Sequence, residues 1–202
     1  MKLVIMTKST FFVEEDKILT TLFDEGMDNL HLFKPGSTPL YAERLLSLIP
    51  EDYYRKITVH DHFYLKNEYD LAGIHLDSAD TEIPNNYKGK IGRTCTDIQM
   101  LKEIKKKSSC VFLKNIFDCI EFSEEKKTFT QQQLEDAADK GLIDRHVYAL
   151  GGMSLDNIRM AKTLGFGGVV ICGDLWSRFD IHNQTDFKEL IAHFEKLRNA
   201  VR

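Results

Sequence analysis

Apolar residues occur in eight short runs along the chain, each rich in Val, Ile, Leu or Phe. An unbroken apolar run of this length predicts a strand buried on both faces, as in a parallel sheet covered by helices. The predicted strands are residues 3–6, 30–33, 57–59, 73–76, the region around 91, 110–113, 147–150 and 168–171.

Amphipathic patterns with the period of an α-helix lie between most of these runs. In residues 14–25, for example, Ile18, Leu22 and Phe23 share one face. The predicted helices cover residues 14–25, 39–49, 96–107, 131–140, 155–164 and 187–201. Gly141 and Gly165 mark the C-terminal ends of two of them.

Strands that alternate with helices in this way predict a single (β/α)8 barrel with parallel strands and an outer ring of helices. The repeat of about 25 residues is near the minimum for this fold. A doubly wound open sheet is the structural alternative. The chain of 202 residues suffices for one core and not for two ordinary domains, so we expect residues 1–202 to form one domain. Residues 60–72 leave room only for a short helix, and residues 121–127 predict a loop with solvated charges.

The formal net charge of −4 gives no reason to expect nucleic acid or an anionic membrane surface as a partner. The four cysteines lack the CxxC spacing of a zinc or redox site. No apolar run approaches the ~20 residues that a membrane span needs. Acidic residues near the start of the sequence interrupt any N-terminal signal pattern. We therefore expect a cytoplasmic protein with reduced thiols. Because the chain carries a net negative charge, any anion that it binds must be held by the residues of a local site rather than by an overall positive charge.

Glycines follow the last two predicted strands, where this fold usually binds phosphate. Gly151 and Gly152 follow strand seven, with a helix beginning near Leu155, and Cys172 and Gly173 follow strand eight. Backbone amides at such glycines and helix starts approach an anion closely, so we expect a phosphate here. Simple tight turns are the alternative.

Carboxylates follow strands three and four, whose ends are neighbours in the predicted barrel. His60, Asp61 and His62 come after strand three, and Asp77 and Asp80 come after strand four. Mg²⁺ is commonly held by one or two carboxylates together with substrate phosphates and water. One carboxylate from each loop is therefore a candidate ligand, unless Asp77 only caps a turn and Asp61 is merely solvated.

Four further polar residues follow strands two, five and six: Lys34, Arg93, Thr94 and Lys114. Each is positioned to contact an anion, although a single residue of this kind more often lies on the surface.

Five short motifs are spread along the whole chain. The most specific is YALGGM at residues 148–153, followed by GFGGVVI at residues 165–171. The others are VHDH at residues 59–62, GIHL at residues 73–76 followed by Asp80, and IGRT at residues 91–94. Together these motifs resemble the thiamine phosphate synthase and TenI-like family.

The resemblance implies a transferase that joins hydroxymethylpyrimidine diphosphate to thiazole phosphate, giving thiamine phosphate and diphosphate, with Mg²⁺ bound by Asp61 and Asp80. The candidate catalytic residues are His62, Lys34 and Thr94. The candidate phosphate and substrate contacts are His31, His60, Arg93, Lys114, Asn115, Gly151, Gly152, Ile171, Cys172 and Gly173. The expected partners are the two phosphorylated small molecules, and small barrels of this type commonly form symmetric dimers.

The chain departs from this family where the diphosphate is bound. Phe33 stands at a family arginine position, and His60 and His62 replace an Asn and an Arg beside Asp61. A Thr-rich element after strand six is absent, and these losses weaken binding of a highly charged leaving group. A TenI-like thiazole tautomerase and a non-catalytic phosphate-binding protein are therefore alternatives. The tautomerases' proton-shuttling histidine position holds Asn115, which is not an acid or base near neutral pH, so His60 or His62 would have to substitute.

Overall fold

Eight parallel strands form a closed barrel in the structure, a computed structural model that describes residues 1–122, 124–180 and 187–202. The strands are β1 (Lys2–Met6), β2 (Leu30–Leu32), β3 (Ile57–Val59), β4 (Gly73–Leu76), β5 (Lys90–Cys95), β6 (Cys110–Leu113), β7 (Val147–Ala149) and β8 (Gly168–Ile171). They pair in sequence order, and β8 closes the barrel onto β1, with Lys2 opposite Gly168 and Ile5 opposite Ile171. The predicted (β/α)8 barrel is confirmed, and the alternative open sheet is wrong.

Helices surround this barrel. They are α1 (Glu15–Asp24), α2 (Pro39–Leu48), α3 (Leu65–Glu68), α4 (Leu101–Lys105), α5 (Gln131–Asp139), α6 (Ile158–Thr163), α7 (Gly173–Trp176) and α8 (Lys188–Val201), with 3-10 turns at Glu51–Lys56 and Ile98–Met100. The helix between β3 and β4 has four residues, as the spacing predicted, and residues 77–89 join β4 to β5 without a helix. Within the described ranges, no helix is long and apolar enough to cross a membrane.

Two helix predictions need correction. The pattern over residues 96–107 divides into a 3-10 turn and the five-residue α4. Asp97 caps the 3-10 turn, its side chain accepting from the Gln99 amide. Helix α6 begins at Ile158, three residues later than expected, because a turn closed by the Asn157 side chain and the Ser154 amide comes first.

The main core lies between the barrel and its helices. On α1 the side chains of Ile18, Leu19, Leu22 and Phe23 are buried against the strands, as their spacing predicted. A smaller apolar cluster of Val4, Met6, Phe112 and Val170 fills part of the barrel interior. Because successive strand residues point to opposite faces, every second residue faces inward. Three of these inward positions hold histidine, and they lie beneath the candidate site.

Candidate functional site

A cavity of about 140 Å³ lies at the carboxyl ends of the strands. The loop after β6 forms one wall, and the turns after β7 and β8 form another. The lining residues include Met6, Phe33, Asp77, Thr94, Lys114, Ile120, Glu121, Glu125, Leu150, Gly151, Gly152, Cys172 and Gly173. Of the predicted substrate contacts, Lys114, Gly151, Gly152, Cys172 and Gly173 therefore share one cavity with Thr94, while the buried Ile171 ends the adjoining strand β8.

The two glycine turns are packed closely against the loop after β6. A Cβ atom on Gly152, whose φ is 59°, would lie 2.2 Å from the carbonyl oxygen of Asp118. A Cβ atom on Gly173 would lie 2.7 Å from the Ile120 Cβ. No side chain fits at either position unless the loop moves. The glycines thus do more than turn the chain, because they allow the loop to reach the turns.

Glu121 brings a carboxylate to these turns. Its Oε1 accepts hydrogen bonds from the Ser9 amide at 3.1 Å and the Ser9 hydroxyl at 2.8 Å, and its Oε2 accepts from the Cys172 thiol at 2.9 Å. These donors belong to the loops after β1 and β8. The carboxylate therefore occupies a group of donors that also suits an anionic ligand. The expectation that the charges of residues 121–127 are simply solvated is wrong for Glu121.

Both lysines predicted to meet phosphate are paired with acidic residues. The buried Lys34 ammonium donates to Glu15 at 2.6 Å and to the Thr10 carbonyl at 2.9 Å, and it does not line the cavity. Burial raises the pKa of Glu15 to about 7, although the neighbouring Lys34 opposes this shift, and burial lowers the pKa of Lys34. Lys114 does line the cavity, but it pairs with Glu125 at 2.6 Å.

A chain of hydrogen bonds leads from the cavity into the barrel. The Asp77 carboxylate lies 2.8 Å from His60 Nδ1, and His60 Nε2 lies 2.8 Å from His31 Nδ1. The Thr94 hydroxyl donates to Asp77 at 3.2 Å and lies 3.0 Å from His75 Nε2. His31 and His75 lie on β2 and β4, and His60 directly follows β3 between them, so the three inward rings contact one another.

This histidine cluster is nearly dry. His31, His60 and His75 are each at most 4% exposed, and Phe112 packs against His31 and His75. Burial, followed by the neighbouring histidines, holds the pKa values of His31 and His75 well below their usual range. Both rings are therefore neutral at physiological pH.

The remaining predicted residues lie around this centre. The Asp61 carboxylate accepts from the Lys34 amide at 3.4 Å, His62 Nε2 lies 2.9 Å from the Ser37 carbonyl oxygen, and Asp80 is exposed. Arg93 lies between Gly92 and Thr94, which both contact His75, so its side chain points away from the barrel interior.

Asn115 has a φ of 65°, and its backbone packs against the first glycine turn. Its side-chain oxygen is buried without a hydrogen-bond partner, and its Nδ2 lies 3.4 Å from the Thr128 hydroxyl.

Sequence reasoning did not select His75, Asp77, Glu121 or Glu15 as site residues. A histidine within the apolar run of β4 was a usable signal for His75. Asp77 was considered as a carboxylate ligand, with a turn cap as the alternative, and Asp80 was chosen in its place. No local pattern marks Glu121, because its partner Ser9 is 112 residues away.

A closed eight-stranded barrel with a glycine-lined cavity at the carboxyl ends of its strands defines a (β/α)8 protein, and the cavity lies at the face where this fold usually binds ligands. No protein-family model matches the chain, and no curated protein does. Solved structures do match. Thiamine phosphate pyrophosphorylase from Bacteroides thetaiotaomicron is 44% identical with a TM-score of 0.90, over 99% of this chain and 97% of that one.

Thiamine phosphate pyrophosphorylase from Pyrococcus furiosus is 18% identical with a TM-score of 0.73, over 99% of this chain and 95% of that one. A 3-hexulose-6-phosphate synthase is 15% identical with a TM-score of 0.66, over the whole of both chains. These two distant similarities show the fold alone. The 44% identity over nearly the full length shows more: the chain belongs to the thiamine phosphate pyrophosphorylase family, also called thiamine phosphate synthase.

Proposed function

We propose that the protein is a transferase that joins a pyrimidine methyl diphosphate to a thiazole phosphate, releasing diphosphate. The observation that carries this proposal is the 44% identity to a thiamine phosphate pyrophosphorylase, together with the cavity at the ligand face of the barrel. The reaction requires two anionic substrates to meet in one site, so catalysis consists largely of positioning and leaving-group stabilisation.

The turns at Gly152 and Gly173 would hold the thiazole phosphate. Backbone amides at such turns bind an anion without a charged side chain. Glu121 now takes the hydrogen bonds of Ser9 and Cys172 beside these turns, so a phosphate arriving there displaces its carboxylate. The loop after β6 would then move away from the turns.

The apolar part of the cavity would receive the two rings. Phe33 and Leu150 contribute apolar surface, and Thr94 contributes a hydroxyl. Phe33 stands at the family's arginine position, so this wall excludes water from a pyrimidine methyl cation rather than neutralising the leaving group. Lys34 and Lys114, already paired with carboxylates, contribute less charge than free lysines.

Mg²⁺ would be held by Asp61 and Asp80. Their donor set fits the ion, because both supply hard carboxylate oxygens from loops after the neighbouring strands β3 and β4. The half-buried Asp61 lies beside a backbone amide, and Asp80 is exposed to incoming substrate. When bound, Mg²⁺ supplies positive charge for the diphosphate that leaves. The buried histidines do not suit Mg²⁺, which prefers oxygen ligands.

The assay incubates the purified full chain with both substrates and Mg²⁺ and measures thiamine phosphate and released diphosphate together. We expect the two products in equal amounts, and we expect Asp80→Asn to lower the rate at least tenfold. Absence of both products at high enzyme concentration refutes the proposal. An exposed carboxylate away from the cavity, Glu103, serves as the control in Glu103→Gln.

A metal-free isomerase acting on the thiazole phosphate is a second candidate. It is favoured by the pairing of Lys34 and Lys114 with carboxylates, and by the Asp77–His60 hydrogen bond, which provides an acid/base group beside the cavity. Conversion of one thiazole phosphate isomer into another without Mg²⁺, abolished in His60→Gln, would support it. A rate that depends fully on Mg²⁺ and on the pyrimidine diphosphate excludes it.

A further inference from the structure

We propose that His31, His60 and His75 bind one divalent transition-metal ion of the zinc class inside the barrel. Each histidine offers one ring nitrogen, and these three atoms lie within 4.8 Å of one another. Among the described residues, this is the only group of three or more histidine, cysteine or acidic side chains so close together. Its ligands do not include Asp61 or Asp80, and the proposal does not depend on the proposed reaction.

The spacing of the nitrogens is close to that of a metal site. Two nitrogen ligands on a tetrahedral ion, with bonds of about 2.0–2.1 Å, stand roughly 3.3 Å apart. His31 Nδ1 and His60 Nε2 are now 2.8 Å apart and share a proton. An ion that replaces this proton needs the two nitrogens to part by about half an ångström and the two rings to turn toward the ion. The proton moves to the other nitrogen of His31 or to solvent.

The hydrogen bonds also suit a metal. His31, His60 and His75 are buried side chains whose imidazole rings each have two nitrogens, one of which can act as a ligand. His60 donates from Nδ1 to the Asp77 carboxylate, which leaves its Nε2 lone pair directed at His31. A carboxylate that orients a ligating histidine in this way is the usual outer partner of a metal-bound imidazole.

Asp77 provides both charge and access. Its side chain is 39% exposed and lines the cavity, while one of its oxygens lies 4.0 Å from His75 Nε2. Its negative charge offsets part of the ion's charge in a barrel interior that otherwise offers neutral rings. Asp77 therefore connects the cavity with the buried histidines.

One polar atom of the cluster has no hydrogen-bond partner in the structure. It is Nδ1 of His75, which is buried, and the ring fits only because residue 92 is glycine. Burying an unpaired polar atom costs free energy. Apolar side chains would fill this space without that cost, so core packing alone does not explain three inward histidines. Imidazole nitrogens select Zn²⁺, Co²⁺, Ni²⁺ or Cu²⁺ over Mg²⁺.

The test uses the full chain, stripped with a chelator and titrated with Co²⁺ and Zn²⁺. We expect one ion per chain, visible absorption from four-coordinate Co²⁺ that Zn²⁺ abolishes, and nitrogen ligands in the X-ray absorption spectrum of the zinc form. Excess Mg²⁺ should not displace the ion. His31→Gln and His75→Gln should each weaken Zn²⁺ binding at least 100-fold, and Asp77→Asn about 10–100-fold.

The control is His146→Gln, because His146 is half-exposed and lies near Asp144 at 3.7 Å, away from this cluster. It should bind Zn²⁺ as the wild type does, and circular dichroism checks that all variants fold. The proposal is overturned if the wild type binds no stoichiometric Zn²⁺ or Co²⁺, or if the bound ion shows no nitrogen ligands. It is also overturned if folded His31→Gln and His75→Gln variants bind the ion as tightly as wild type.

Discussion

Glu15 makes the stability of this protein depend on pH, and Glu15→Gln should remove that dependence. The carboxyl group is buried against Lys34, and burial raises its pKa from 4.5 to about 7. A raised pKa in the folded state means that folding favours the protonated form. The contribution of Glu15 is therefore fully present below about pH 4.5 and is lost as the pH rises to about 7.

The magnitude follows from the size of the shift. A change of one pKa unit corresponds to about 1.4 kcal/mol, so a shift of this size corresponds to roughly 3 kcal/mol. The free energy of unfolding of the wild type should fall by about this amount, relative to Glu15→Gln, between pH 4.5 and pH 7.5. Gln keeps the shape and an oxygen that accepts from Lys34, but it does not titrate.

Urea unfolding of both proteins at a series of pH values measures the difference. Glu14→Gln is the matched control, because Glu14 is the adjacent residue and pairs with Lys17 on the exposed surface. Exposed pairs of this kind contribute about 0–1 kcal/mol, so this variant should keep the pH dependence of the wild type. If the free energies of unfolding of wild type and Glu15→Gln change in parallel from pH 4.5 to pH 7.5, burial does not raise the pKa of Glu15 and the prediction is wrong.

Three further predictions concern the cavity and its surroundings. Gly152→Ala should lower the free energy of unfolding by about 2–4 kcal/mol, because its Cβ meets the Asp118 carbonyl oxygen and its φ is positive. Gly141→Ala, also at positive φ but in open space, should lose only about 1–2 kcal/mol in the same urea titration, and equal losses would contradict the packing argument. Glu121→Gln should bind inorganic phosphate about tenfold more tightly in calorimetry, because a competing charge is removed; weaker binding would show that the carboxylate does not occupy the anion site. Thr130→Ala should cost about 1 kcal/mol of stability, since it removes the capping box of α5, and an unchanged urea midpoint would count against this.

Much of the architecture could be predicted from local patterns. The apolar runs located all eight strands to within a few residues, because a strand covered on both faces must be apolar throughout. The order of strands and helices then indicated a barrel, and the family resemblance, confirmed by the 44% identity, indicated the same fold. The glycines after β7 and β8 were likewise visible, since a turn that admits no Cβ leaves glycine in the sequence.

Helix ends and charges were harder to predict. The start of α6 was placed three residues too early, because the Asn157 side chain closes a turn there. Lys34 was predicted as a candidate catalytic residue able to contact an anion, and the sequence did not indicate that it is buried in an ion pair with Glu15, which is 19 residues away in the chain. A periodic pattern reports which face of an element is apolar, and it carries no information about which charge lies opposite.

The sequence by itself therefore determined the strands, the barrel and the glycine turns that line the cavity, because these depend on hydrophobic periodicity and on glycine. Only the tertiary structure decided how charge is distributed at that face. Closure of the barrel brings Glu121 to Ser9 and places His31, His60 and His75 side by side on three strands. Such contacts join residues far apart in the chain, and their energy depends on distance and burial, which exist only once the chain has folded.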